Sequence, residues 1–416
     1  MNLPRNANSG RIAFVRDELR SFREDVCRAS EAASLFQAPI GVDLKAKLDR
    51  LLRGFFSSTA VDFRSVLCFP KCTYVRTERL DPQRRDCGSG TPSDQNRVAE
   101  PWTGKSRANA GELAQYLANG YRLLQSRAED RPSVPIEILP FDRCRNKVHV
   151  PLRKLIEALE PMAPFLLGAY VHGSYGIGDA VTGYSDLDAA LLLKKETCIN
   201  KDGLMEARKA YLRLIPELYA FDYQQHHEFF VLTEWDLRFP DANYYPRLLW
   251  EEARVLVGEG ALRVSFSDNS LMPPAKSLIA VIESVLSFIA TPKWSRWYYT
   301  KALLSHLALL PSLFYQFHGR EVSKASALER IQSEFYWADF LRKTTAVRAE
   351  WTLRSDCRFP REAYRHCLHA NPQVVRVLFS MRRKTPKWIF DILQDSFAEE
   401  ALDFLAALLR CHLDVD

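Results

Sequence analysis

The sequence predicts an α+β protein: a small mixed sheet with flanking helices, followed by a mostly helical C-terminal domain. Three observations predict it. Short β-prone runs, Ala169-Tyr170-Val171-His172 and the apolar Ala189 to Leu193, lie either side of a glycine-punctuated turn, and a third such run follows at Phe229–Thr233. Helical apolar spacing precedes and separates these runs. From Pro273 onward the chain reads as helices alone.

Taken in order, residues 1–133 read as an N-terminal helical extension. Helical segments at Arg11–Leu35 and Asp43–Phe56 precede a β-prone piece near Val66–Val75. Arg76–Ala108 is rich in Pro, Gly, Ser, Arg and Asp, the composition of a long flexible loop. A helix resumes over Gly111–Arg127, where Leu113, Tyr116, Leu117, Tyr121 and Leu124 share one face. The sheet core is expected over 134–270. It runs from an amphipathic helix at Val148–Leu159 through a strand at 168–173, the glycine turn and an Asp-led strand. A helix at Asp202–Tyr219 and the strand Phe229–Thr233 complete it. The C-terminal domain, 271–416, opens at Pro273-Pro274 with helices Ala275–Ile289, Trp294–Phe317 and Ser323–Lys343.

Composition bounds the class. The chain has 416 residues and is 47% hydrophobic, enough for two or three globular domains. No apolar run reaches membrane-spanning length; Ala302–Phe314 is short and carries His306 and Pro311. The N-terminus lacks the apolar core of a signal peptide. Nine scattered cysteines suit free thiols in a reducing cytoplasm, and neither Cys68, Cys72 and Cys87 nor His366-Cys367 with His369 has zinc-site spacing. A net charge of +6 is concentrated between Arg342 and Lys387, a segment able to hold a polyanion such as RNA or to form a solvated face.

The chemistry is concentrated in Tyr170–Leu193, YVHGSYGIGDAVTGYSDLDAALLL. If Asp186 and Asp188 lie in one strand they share a face, roughly 6–7 Å apart, with Leu187 turned to the core. Two carboxylates on one face repel unless a cation joins them, and hard oxygen donors suit Mg²⁺ or Mn²⁺. Gly173 permits close backbone approach to a ligand, and Ser174 offers a hydroxyl and an N–H at a helix start that favours phosphate. A phosphate cradle beside a metal clamp implies a nucleoside triphosphate such as ATP.

Gly173-Ser174, Gly178 and Ser185-Asp186-Leu187-Asp188 together resemble the Gly-Ser … Asp-x-Asp signature of the DNA polymerase β-like nucleotidyltransferase superfamily. The Ser-Asp-x-Asp variant is similar to that of oligoadenylate and cyclic-dinucleotide synthases, although the position after the second glycine, usually Thr there, is Asp179 here. The resemblance implies a nucleotidyltransferase core in which Asp186 and Asp188 ligate the metal and Gly173, Ser174 and Ser185 meet the nucleotide. It also implies a third acidic residue on a neighbouring strand, as ligand and base. Glu228 and Glu234 flank the Phe229–Thr233 run. A parallel neighbour would bring its start, Glu228, to the doublet and an antiparallel one its end, Glu234; Glu228 is preferred. His226-His227 resembles a dipeptide of uncharacterised bacterial nucleotidyltransferase-domain proteins, where an imidazole would orient a carboxylate or touch the acceptor.

The helical domain is expected to close the cleft. Trp294 to Lys301 combines aromatics, suited to a base or to the core, with Lys301, which the resemblance assigns to the γ-phosphate; Ser323-Lys324 is a further candidate. The expected activity is transfer of a nucleoside monophosphate to an acceptor hydroxyl with release of pyrophosphate. RNA, a small hydroxylated molecule, a protein or a second nucleotide would each serve as acceptor. A second-messenger synthase and a non-catalytic nucleotide- or RNA-binding homologue are the alternatives.

Overall fold

A computed structural model describes residues 9–33, 40–57, 110–127, 132–141, 150–181, 183–222, 225, 227–239, 247–265, 272–290, 296–353 and 384–411. The expected strand at Val66–Val75, the loop at 76–108 and the Cys68, Cys72, Cys87 and His366–His369 groups lie outside them, as do Trp294 and His226.

In chain order the helices are α1 (Ser9–Ala33), α2 (Ile40–Phe56), α3 (Ala110–Arg127), α4 (Val150–Ala158), α5 (Gly173–Ile177), α6 (Lys195–Cys198), α7 (Lys201–Phe221), α8 (Glu234–Arg238) and α9 (Arg247–Glu252). They continue with α10 (Met272–Ile289), α11 (Trp297–Phe317), α12 (Lys324–Glu334), α13 (Leu341–Leu353), α14 (Lys387–Leu393) and α15 (Phe397–Arg410). The strands are β1 (Val134–Glu137), β2 (Leu166–His172), β3 (Asp188–Leu193), β4 (Phe230–Thr233), β5 (Arg254–Gly258) and β6 (Ala261–Val264).

The mixed α/β architecture is present. A four-stranded sheet has the order β4-β3-β2-β5, and β1 and β6 form a separate antiparallel ribbon. β2 pairs antiparallel with β3 and β5, whereas β3 and β4 run parallel, Ala190 opposite Phe230. Strand alternation divides the apolar residues of β3 between two cores. Ala189, Leu191 and Leu193 face α2, α3, α4 and α7, while Ala190 and Leu192 join Tyr170, Trp250 and the β1–β6 ribbon. A third core unites α1 with α10 to α15.

Two expectations change. Residues 1–133 do not stand as a unit: Val15, Leu19, Phe22 and Val26 of α1 join the C-terminal helical core, whereas Leu48, Leu52, Phe55 and Phe56 of α2 join the sheet. Ion pairs from Arg11 to Asp403 and Arg410 to Glu18 seat α1 against α15. The single helix expected over Ser323–Lys343 is broken after α12. Phe335 there adopts extended backbone, φ −134° and ψ 114°, and sets its ring against Phe314 and Trp337, so tertiary aromatic packing overrides helix propensity. Among the described residues no helix is long and apolar enough to cross a membrane.

Candidate active site

β2 ends at His172, which pairs with Asp188 at the first position of β3. Between them the chain turns through α5. Gly173 takes φ +60°, and a Cβ there would lie 2.6 Å from Asp188 Oδ2, so only glycine lets this carboxylate lie against the turn. Gly178 closes α5 at φ 86°, its N–H donating to the Ser174 carbonyl. Ser174 is half-buried at the head of this turn.

Asp186 lies outside the strand, since β3 starts only at Asp188. The expected face-sharing by strand alternation therefore does not apply to the pair. Tyr184, two residues before Asp186, is buried in the helical core with its ring against Trp351 and draws the loop toward that domain. Ser185, expected at the nucleotide, is buried and turned into its own loop, where its Oγ accepts from the Val181 N–H at 2.9 Å.

A residue the sequence did not single out holds the acidic doublet in place. Buried Gln225 accepts from the Leu187 N–H and donates to the Leu187 carbonyl, both at 2.9 Å. Its carboxamide thus acts as a strand partner for the residue between the two aspartates. The only sequence signal was a polar Gln-Gln-His-His run in front of a strand.

Each aspartate has a basic partner from the chain. His227 Nε2 lies 2.8 Å from Asp188 Oδ1, and its Nδ1 lies 2.9 Å from the Glu228 carbonyl oxygen and 3.3 Å from the Gln225 amide nitrogen. The imidazolium is the form that Asp188 and the carbonyl favour. Burial opposes that charge, but the hydrogen bond and charge of Asp188 outweigh it, and the His227 pKa stands above its ordinary value. In return, burial would raise the Asp188 carboxyl, yet His227 holds it below the usual range. The Asp188 side chain is still 33% exposed. His172, behind it, is pushed by burial down to about 4 and stays neutral.

Lys301 departs from its expected role. It is buried on α11, and its Nζ donates to Asp186 Oδ1 and to Asp222 Oδ2, each at 2.7 Å. Asp222, which caps the C-terminus of α7, is the third carboxylate beside the doublet, and no motif in the sequence marked it. Glu228 is engaged elsewhere: its carboxylate accepts from the Tyr211 hydroxyl at 3.1 Å and the Tyr219 hydroxyl at 3.5 Å, both on α7. The physical reason is that β4 begins only at Phe230, so strand alternation does not extend back to Glu228. Glu234 sits at the far end of β4, accepts from the Lys195 N–H at 2.8 Å and lines a recess with Gln125, Trp235 and Arg238.

Lys324 opens α12, is exposed, and lies within reach of the charges of Asp188, Asp186 and Asp179. Asp179 itself accepts from Arg348 Nη2 of α13 at 2.9 Å, so the residue that departs from the synthase pattern ties the glycine turn to the helical domain. Trp297 and Tyr298 are buried in the helical domain. Three basic residues of the described part of the basic segment are paired: Arg342 with Asp339, Lys343 with Glu400 and Arg348 with Asp179.

No protein-family model, curated protein or solved structure matches this chain. The function must come from the site. Among the described residues, no three His, Cys, Asp or Glu side chains converge as a complete metal site. Asp186 and Asp188 supply carboxylate oxygens, the donor type that a hard divalent ion takes, and each is hydrogen-bonded to a basic side chain of the chain.

Proposed function

We propose that this protein is a metal-dependent nucleotidyltransferase that moves a nucleoside monophosphate from a nucleoside triphosphate to an acceptor hydroxyl, releasing pyrophosphate. The observation that carries it is the fit of Gly173 to Asp188: a left-handed glycine whose missing side chain is replaced by a carboxylate, with Asp186 two residues away. A surface strand with two solvated aspartates needs no such cradle. Mg²⁺ or Mn²⁺, when bound, would neutralise phosphate charge and polarise the phosphorus toward attack.

In this reading Asp186 and Asp188 hold the ion together with phosphate oxygens. The turn at Gly173-Ser174 meets the phosphates from one side. Lys324, at the N-terminus of α12, meets them from the other, in place of buried Lys301. His227 holds Asp188 by a hydrogen bond, and Gln225 fixes the backbone between the carboxylates. The DNA polymerase β-like superfamily is the family to which we assign the core on its motif.

The test is incubation of the purified protein with each labelled triphosphate and Mg²⁺ or Mn²⁺, with and without total RNA. Transfer of label, or pyrophosphate release lost in Asp188→Asn, is the expected result. A specific observation favours a second reading, a non-catalytic nucleotide-binding homologue: both aspartates are already held by groups of the chain. Saturable nucleotide binding without turnover under every condition would select it.

A further inference from the structure

The arrangement of Lys301 deepens the nucleotidyltransferase reading, and the role assigned to this lysine rests on that reading. Lys301 comes from α11 of the helical domain, whereas Asp186 and Asp222 belong to the sheet domain. The lysine and Asp222 side chains are 3% and 4% exposed, Asp186 is 8% exposed, and Asp188 opens to solvent at 33%. The group thus runs from a sealed end at Asp222 to an open end at Asp188, with the ammonium at the sealed end.

Burial makes this consequential. A carboxylate taken out of water needs a partner, and so does an ammonium. If Lys301 met Asp186 alone, withdrawing Asp186 would strand a buried cation, and the ion pair would compete fully with any incoming ion. Asp222 removes that penalty. It is anchored through its backbone N–H, which donates to the Leu218 carbonyl at the end of α7, and it offers Lys301 a second carboxylate at the same 2.7 Å.

We infer that Lys301 is a positioning residue that serves as a built-in counter-cation: it holds Asp186 while no divalent ion is present, and remains on Asp222 when Asp186 turns to the ion. Asp222 then acts as the lysine's resting partner and is not itself a metal ligand.

The experiment is Mn²⁺ binding read by electron paramagnetic resonance, with Mn²⁺ alone and with a non-hydrolysable ATP analogue. It is run on wild type, Lys301→Met, Asp222→Asn, the double variant and Asp188→Asn, with thermal melting of each. Lys301→Met is expected to bind Mn²⁺ more tightly by on the order of tenfold, the scale of one neighbouring opposite charge on a carboxylate. Asp222→Asn is expected to bind more weakly, because Lys301 then concentrates on Asp186. In the Lys301→Met background the same substitution is expected to change affinity by less than about twofold.

Unchanged or weaker binding in Lys301→Met overturns the inference, as does an equal loss from Asp222→Asn in both backgrounds, which would make Asp222 a ligand. Should Lys301→Met not fold, the charge-balanced double variant replaces it and must bind Mn²⁺ more tightly than Asp222→Asn. Wild type showing no Mn²⁺ binding that Asp188→Asn removes sinks the nucleotidyltransferase reading itself. Intact, Asp188-dependent binding that ignores Lys301 sinks this inference alone.

Discussion

Two buried lysines are each held by two carboxylates, and they sit in different parts of the sheet domain's surroundings. Lys301 of α11 joins Asp186, just before β3, and Asp222, at the end of α7. Lys45 of α2 joins Asp49, one helical turn along, and Asp236 of α8, at 2.5 and 2.6 Å. Both lysines carry a helix from outside the sheet onto it. The difference lies in what else the carboxylates do. Asp236 also accepts from the Thr233 N–H and hydroxyl at 2.7 and 2.8 Å, a completed capping box at the start of α8. Asp186 instead adjoins Asp188, its glycine cradle and Lys324. The same ionic triad is a staple where its acceptors are consumed locally and part of a site where one of them, Asp186, stands two residues from the more open Asp188.

The comparison is broken most severely at the carboxylates. Asp188→Asn and Asp186→Asn are each expected to cut nucleotide transfer by on the order of 10²–10³-fold or more. Asp188→Asn should leave the melting temperature little changed, whereas Asp186→Asn, which breaks a buried ion pair, should also lower it. Asp236→Asn should lower the melting temperature and leave transfer within a few-fold. A folded Asp236→Asn protein without activity would erase the distinction.

Next comes Lys45→Met, which strands two carboxylates in a buried setting. Denaturant unfolding should register a loss of about 3–5 kcal/mol, the usual result of removing one partner of a buried ion pair. A loss under about 1 kcal/mol, the scale of an exposed pair, would mean that the Lys45 triad is not a staple.

Gly173→Ala is smaller in stability but sharper in its effect. Left-handed backbone costs a residue with a Cβ about 1–2 kcal/mol, and the new methyl would also press on Asp188 Oδ2. Steady-state kinetics should therefore show a kcat loss larger than the stability loss accounts for. A variant that merely melts lower, with kcat unchanged, would detach Gly173 from the site.

The mildest test is of pH. Burial, with the charge of Asp236 added, pushes the Asp49 carboxyl up to about 7 against the pull of Lys45. The folded protein therefore binds this proton more tightly than the unfolded chain, and this group's contribution to stability falls as pH rises from about 4 to about 7. Melting temperatures from pH 5 to pH 8 should decline less steeply in Asp49→Asn than in wild type. Parallel curves would assign the pH dependence to other groups.

Much of the fold is encoded locally. The glycine spacing around Tyr170–Leu193, the apolar run of β3 and the amphipathic faces of α3 and α7 each follow from periodicity within one segment, and the expected elements appear within a few residues. The two strands either side of the glycine turn were legible too, whereas the seating of Asp188 against Gly173 appears only in the structure.

What the amino-acid order determined alone was therefore the mixed α/β class, the helical C-terminal half and the acidic doublet with its glycine. Tertiary structure decided the partners: Lys301 on Asp186 across a separation of 115 residues, Gln225 across Leu187, Asp222 on Lys301, and α1 in a different core from α2. The physical reason is one of range. Periodicity reports which face of an element is apolar, whereas the choice of counter-charge for a buried carboxylate depends on which helix is packed above it. That is set only when the layers close.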